Sequence, residues 1–291
     1  MSRIDEALRR ANRASDVPMS PEPEPVATEF STEPHRAAVL QMPSPPPDPD
    51  DAAGAAGAAA APGIWNERLN GKLVISDAIE PGAVEEYRKL AAALHQVYVA
   101  RATKVVMVAS ADAGEGKTLT AANLALTLSK SFQRSVLLVD ADLRRPMIHD
   151  MFGIANTAGL NEGLQADGDA KLSLIEVSAK LSVLPAGCPN PDPMGGLTSD
   201  RMRRIIEEAA TKFDWVVLDT PPVGLLPDAH LLAEMVDMVV LVVNAGATPL
   251  RAVRRAVDAL SRKRIVGVVL NRMGASPGTH DYDRYALSRN A

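Results

Sequence analysis

Five aliphatic runs constrain this chain most: VVMVA at 105–109, SVLLVDAD at 135–142, WVVLDT at 215–220, MVVLVVNA at 238–245 and IVGVVLN at 265–271. None alternates apolar with polar side chains, so none suits a strand with one face in water. Helix-length stretches such as TLTAANLALTLSK and DRMRRIIEEAATKF separate them. Strands covered on both faces and joined by helices predict a doubly wound α/β domain with a mostly parallel sheet. A shorter run, LSVLPAG at 181–187, predicts a sixth strand.

The chain has 291 residues, 46% of them apolar but only 3% aromatic, so its core is aliphatic. A net charge of −5 supplies no basic face for nucleic acid, and none is expected as a partner. The single cysteine, Cys188, cannot form an internal disulfide. No stretch reaches the ~20 apolar residues needed to span a bilayer, so the expected location is cytoplasmic, with membrane contact only peripheral. Residues 1–15 predict a short helix with Ile4, Leu8 and Ala11 on one face. Residues 16–63, rich in Pro and Ala, predict a disordered linker. The globular domain is expected over 64–274 and a flexible tail over 275–291.

The first strand runs into ADAGEGKT, where ligands sit in folds of this type. Gly114 and Gly116 allow successive backbone amides to face one concavity, and the following helix adds its positive end. The expected phosphate cradle runs through Ala113, Gly114, Glu115, Gly116, Lys117, Thr118 and Leu119. Lys117 supplies a point charge for phosphate and Thr118 a hydroxyl for a metal. The pattern G-x-x-x-x-G-K-[ST] is met except at its first place, where Ala111 stands. Asp140 and Asp142 are expected to project to one side, near the cradle if their strand neighbours the first. Four apolar residues before Asp219 form a Walker B strand. Asp228 follows, with a helix cap as its simplest role.

Together, ADAGEGKT, VDADLRRP and VVLDTPPV resemble the three nucleotide motifs of the bacterial tyrosine kinases, or BY-kinases, of exopolysaccharide and capsule export. The likeness extends from about Leu73 to Met273, and the start SRIDEALRRA also resembles members tied to exopolysaccharide loci. It implies a P-loop fold of the MinD/ParA type that binds ATP and Mg2+ and passes a phosphoryl group to tyrosine. By position, it makes Lys117 the phosphate contact and Asp140 and Asp142 the catalytic and metal-side acids, with the base undecided between them. Thr118, Asp142 and Asp219 are then the metal-side residues, and Asn271 matches the adenine-contacting position.

The implied function is a protein-tyrosine autokinase regulating exopolysaccharide or capsule polymerisation and export. It implies a membrane co-polymerase or chain-length regulator as adaptor, recruitment to the inner face of the cell membrane, and a possible homo-oligomer. Tyr282 and Tyr285 are the candidate phosphoryl acceptors, fewer than the tyrosine-rich tails of this family carry. The family's oligomerisation signature, Glu, Arg and Arg at intervals of three on one helical face, is met by Glu85 and Arg88 but has Ala91 last. An alternative is a nucleotide-controlled adaptor with vestigial kinase activity. A MinD/ParA-type positioning ATPase is disfavoured, because Asp112 stands where those proteins carry an extra lysine.

Overall fold

The protein is described by a computed structural model that covers residues 71–76, 78–166, 172–224 and 227–273. The helix at 1–15, the linker at 16–63 and the tail with Tyr282 and Tyr285 lie outside the described residues. In chain order the elements are α1 (Pro81–Arg101), β1 (Val105–Ser110), α2 (Lys117–Lys130), β2 (Val136–Asp140), α3 (Ile148–Phe152) and α4 (Leu160–Gln165). There follow β3 (Ile175–Ser178), β4 (Leu181–Leu184), α5 (Met194–Leu197), α6 (Asp200–Lys212) and β5 (Trp215–Asp219). The described part closes with α7 (Asp228–Ala233), β6 (Met238–Asn244), α8 (Leu250–Ala259) and β7 (Ile265–Asn271).

The strands form one seven-stranded sheet in the order β3-β4-β2-β5-β1-β6-β7. Every pairing is parallel except β3 with β4. All six expected strands are present. β3 was not legible in the sequence, because four residues of an edge strand are too short to establish a period. Four of the five runs have the expected cause, since β1, β2 and β5 are buried at every position and β6 at all but its last, but β7, at the sheet edge, leaves Val268 and Leu270 exposed. In β1, Met107 and Ala109 pack toward α6 and α7 while Val106 and Val108 pack toward α1 and α2.

α2 lies under a second helical layer, and every residue from Thr120 to Ser129 is buried. Its buried Asn123 receives the Val74 amide at 2.9 Å and donates to the Lys72 carbonyl at 2.9 Å, clamping the segment that leads into α1. On α1, Glu85 and Arg88 do not share a face with position 91. Ala91 is 0% exposed and packs in the core, while the Arg88 side chain is 50% exposed and pairs with Glu85 at 3.5 Å. Steps of three residues walk about 60° backwards round a helix, so two steps carry the third position into the core. An arginine at 91 would point into aliphatic packing, and alanine fits there.

α6 begins at Ser199, whose Oγ accepts the Met202 amide at 3.2 Å. Such a cap contributes about 1 kcal/mol. The start of α4 is held across the sheet edge. The Glu162 carboxylate accepts the amides of Gly159 at 2.8 Å and Cys188 at 2.9 Å. Gly187 has φ +86, and a Cβ there would collide with that carboxylate. Burial works to raise the Glu162 pKa, but the Cys188 and Gly159 amides outweigh it and hold the group below its ordinary 4.5. A depressed carboxylate stabilises the fold above its unfolded pKa, and that stability is lost as pH falls through the folded value. Glu162→Gln is therefore expected to lower the melting temperature at pH 7 and to flatten the acid limb below about pH 4.5 in thermal denaturation.

Candidate active site

Strand order places the chemistry. β5 lies between β1 and β2, so the strand carrying Asp140 is not a neighbour of the strand that leads into the cradle. Asp219 takes the position expected of Asp140: it pairs in register with Asp140 on one side and with Val108 of β1 on the other. Asp142 reaches the cradle from the loop past β2. Its Oδ2 lies 3.1 Å from Lys117 Nζ, and Asp219 Oδ1 lies 3.5 Å from the same nitrogen. Lys117 Nζ also donates to Thr118 Oγ1 at 3.1 Å. Lys117, Thr118, Asp142 and Asp219 thus converge at the carboxyl edge, as expected.

Asp140 plays a different part. Its Oδ1 accepts the Asp142 amide at 3.2 Å, and its Oδ2 accepts the amides of Met147 at 3.1 Å and Ile148 at 3.0 Å. It therefore folds the loop that carries Asp142 and starts α3. Burial, with added repulsion from Asp219 and Asp142, pushes Asp140 up to about 8, while the Ile148 amide and Lys117 pull against that rise. Burial likewise raises Asp219, opposed by Lys117 and the Thr118 hydroxyl. Burial works against the Lys117 ammonium, but Asp219 and Asp142 outweigh it, so its pKa is raised.

The cradle has the expected backbone. Gly114 and Gly116 lie at φ +77 and +95, and Gly116 precedes the first turn of α2, whose amides have no carbonyl within the helix to reach. Ala111 substitutes for the first glycine without cost: its side chain is in the core and its carbonyl accepts the Gly224 amide at 2.9 Å. Two features were missed in the sequence. The Glu115 carboxylate turns inward, accepting the Asp112 amide at 2.8 Å and the Thr248 hydroxyl, so the cradle is tied to the turn after β6. A carboxylate facing phosphate would repel it, and that incongruity was the available signal. Arg144 also went unmarked: Nε and Nη2 donate to Asp228 Oδ2 at 2.7 Å and Oδ1 at 3.3 Å. Asp228, the first residue of α7, is thus an ion-pair partner rather than only a cap.

Asn271, at the end of β7, donates its amide to the Glu115 carbonyl at 2.8 Å and so lies at the cradle. The site fits a divalent metal on two observations. Asp219 Oδ2 is buried with no hydrogen-bond partner. The carboxylates of Asp142 and Asp219 also share a single ammonium, an imbalance that a cation relieves. Among the described residues no three His, Cys, Asp or Glu side chains form a metal cage. Tyr282 and Tyr285 lie outside the described residues, so the structure does not relate them to this site.

The family described as ParA, NUBPL iron-transfer P-loop NTPase, matches residues 101–285. The tyrosine-protein kinase YwqD of Bacillus subtilis is 36% identical over 210 residues, which are 71% of this chain and 87% of that protein. The succinoglycan biosynthesis transport protein ExoP of Rhizobium meliloti is 31% identical over 73% of this chain, which matches only 29% of ExoP. The kinase domain of the Escherichia coli tyrosine kinase ETK superposes with a TM-score of 0.60 at 30% identity, covering 67% of this chain and 78% of that domain.

Gly116 tests the cradle. A Cβ there would collide with Asn271 Nδ2, and φ +95 disfavours any L side chain. Gly116→Ala is expected to cost roughly 1–3 kcal/mol from the backbone alone and to abolish nucleotide binding, read by urea unfolding and calorimetry.

Proposed function

Because the chain belongs to the ParA-like P-loop NTPases and, among them, to the bacterial tyrosine kinases, we propose that it is an Mg2+- and ATP-dependent protein-tyrosine autokinase. The observation that carries this reading is the convergence of Lys117, Asp142 and Asp219, with one buried carboxylate oxygen of Asp219 left unpaired. A nucleotide triphosphate fits the cradle amides, and Lys117 can exchange its pairing with the acids for the outer phosphates. Thr118, Asp142 and Asp219 are the residues that would hold Mg2+. When bound, the ion neutralises charge on the transferring phosphoryl group.

The chain's own residues supply position and electrostatics. The amides at the start of α2 hold phosphate oxygens, and Lys117, its side chain 12% exposed, adds a positive charge. As the tyrosine oxygen attacks the γ-phosphorus and ADP departs, the hydroxyl proton passes to Asp140 or Asp142 at the end of β2. Asp142 faces Lys117, while both oxygens of Asp140 are engaged by backbone amides. We assign the acceptors to Tyr282 and Tyr285 of the tail.

The likeness to a succinoglycan biosynthesis transport protein supports a role in exopolysaccharide or capsule production. It also supports a membrane co-polymerase as the adaptor that recruits the kinase to the inner membrane face. Among the described residues no helix is long and apolar enough to cross a membrane.

Purified full-length protein with labelled ATP and Mg2+ is expected to gain label on Tyr282 or Tyr285, mapped by mass spectrometry. Lys117→Met should reduce incorporation by at least about 100-fold. Equal labelling of Lys117→Met, or of a variant with both tail tyrosines changed to phenylalanine, would overturn the assignment it tests.

A further inference from the structure

The two acids that meet Lys117 stand on different loops. Asp142 follows β2 and Asp219 ends β5. Away from the cradle, those loops are joined by the Arg144–Asp228 pair. Arg144 lies two positions beyond Asp142, and Asp228 starts the helix reached from Asp219. The pair is forked, with two parallel bonds to one carboxylate, and its side chains are only 23% and 1% exposed. The remaining guanidinium nitrogen donates to the Pro191 carbonyl.

Backbone bonds extend the connection at both ends. The Arg145 amide donates to Asp142 Oδ1 at 3.2 Å, so the residue next to Arg144 orients the acid directly. On the other side, the Val223 and Gly224 amides donate to the Ser110 and Ala111 carbonyls at 2.9 Å, fastening the loop after β5 to the base of the cradle. The Ala141 amide donates to the Asp219 carbonyl at 2.8 Å, closing the frame between the two strands.

We propose that Arg144 is a positioning residue: through Asp228 it holds Asp142 at the separation from Asp219 that a magnesium ion requires, so that it governs metal affinity rather than the grip on phosphates and base. This rests on the nucleotide–magnesium reading given above. A planar guanidinium making two bonds fixes both distance and angle, which a single ammonium does not. Mg2+ demands near-ideal octahedral geometry, so small drifts of a ligand are costly. The cradle amides lie in the turn between β1 and α2, apart from the Arg144–Asp228 pair.

The test is calorimetry on the full chain, with ADP in chelator and ADP in excess Mg2+. In Arg144→Ala and in Asp228→Asn, affinity for ADP alone is expected to stay within about twofold of wild type, while the tightening due to Mg2+ falls by roughly 10–100-fold. The double variant should be no worse than either single one, and Arg144→Lys, which keeps the charge but not the fork, should fall between. In label incorporation, the Mg2+ concentration for half-maximal rate should rise, while KM for ATP at saturating Mg2+ returns to the wild-type value.

Equal weakening with and without Mg2+, an intact Mg2+ effect, or additive losses in the double variant would each overturn the proposal. Should circular dichroism find Arg144→Ala or Asp228→Asn unfolded, Arg144→Lys and Asp228→Glu carry the same comparison, and an unchanged Mg2+ effect in both overturns it. A wild-type chain that binds Mg2+ and ADP but labels no tyrosine leaves the brace standing and removes only the kinase reading. A wild-type chain whose ADP binding ignores Mg2+ overturns both.

Discussion

Charge balance around one buried ammonium governs this molecule. Lys117 is enclosed with Asp142 and Asp219, and Asp140 stands directly beside Asp219 in the sheet register. Like charges set opposite each other on neighbouring strands are unfavourable, and their burial makes them more so. Burial is the main cause of the raised pKa of both acids, with repulsion from Asp219 added at Asp140 and from Asp142 at Asp219. A purely structural site would remove an acid or add a base. The arrangement makes sense as a receptacle for a cation and a polyphosphate, whose charges complement the acids and the ammonium respectively.

The parallel sheet makes such a concentration of charge affordable. Strands β1, β2 and β5, buried on both faces, form a rigid slab, and the loops at the carboxyl ends are bound to one another by backbone amides and by the Arg144–Asp228 ion pair. Asp140 organises its own loop with three amide bonds, and Glu115 and Asn271 fasten the cradle to the turn after β6 and to the end of β7. Residues that look catalytic by type are thus divided between those that converge on Lys117 and those that hold the former in place.

Most of the fold was legible because its signals are local. A run of buried β-branched residues next to a glycine-rich turn and a helix specifies strand, cradle and helix with little ambiguity. Ala91 shows where local reading falters: equal spacing in sequence suggested a shared face, but rotation round α1 places it in the core. Glu115 belongs to the cradle motif by position, but the direction of its carboxylate depends on Thr248 far along the chain.

The sequence by itself determined the parallel α/β class, the phosphate cradle at Gly114 to Thr118 and the identity of the acids, because these depend on side-chain chemistry and short-range backbone geometry. Only the tertiary structure decided that β5 separates β1 from β2, that Asp219 rather than Asp140 stands beside the cradle, and that Arg144 meets Asp228. Strand order and long-range ion pairs arise from how helices and loops pack across the whole sheet, and no local stretch of sequence contains that information.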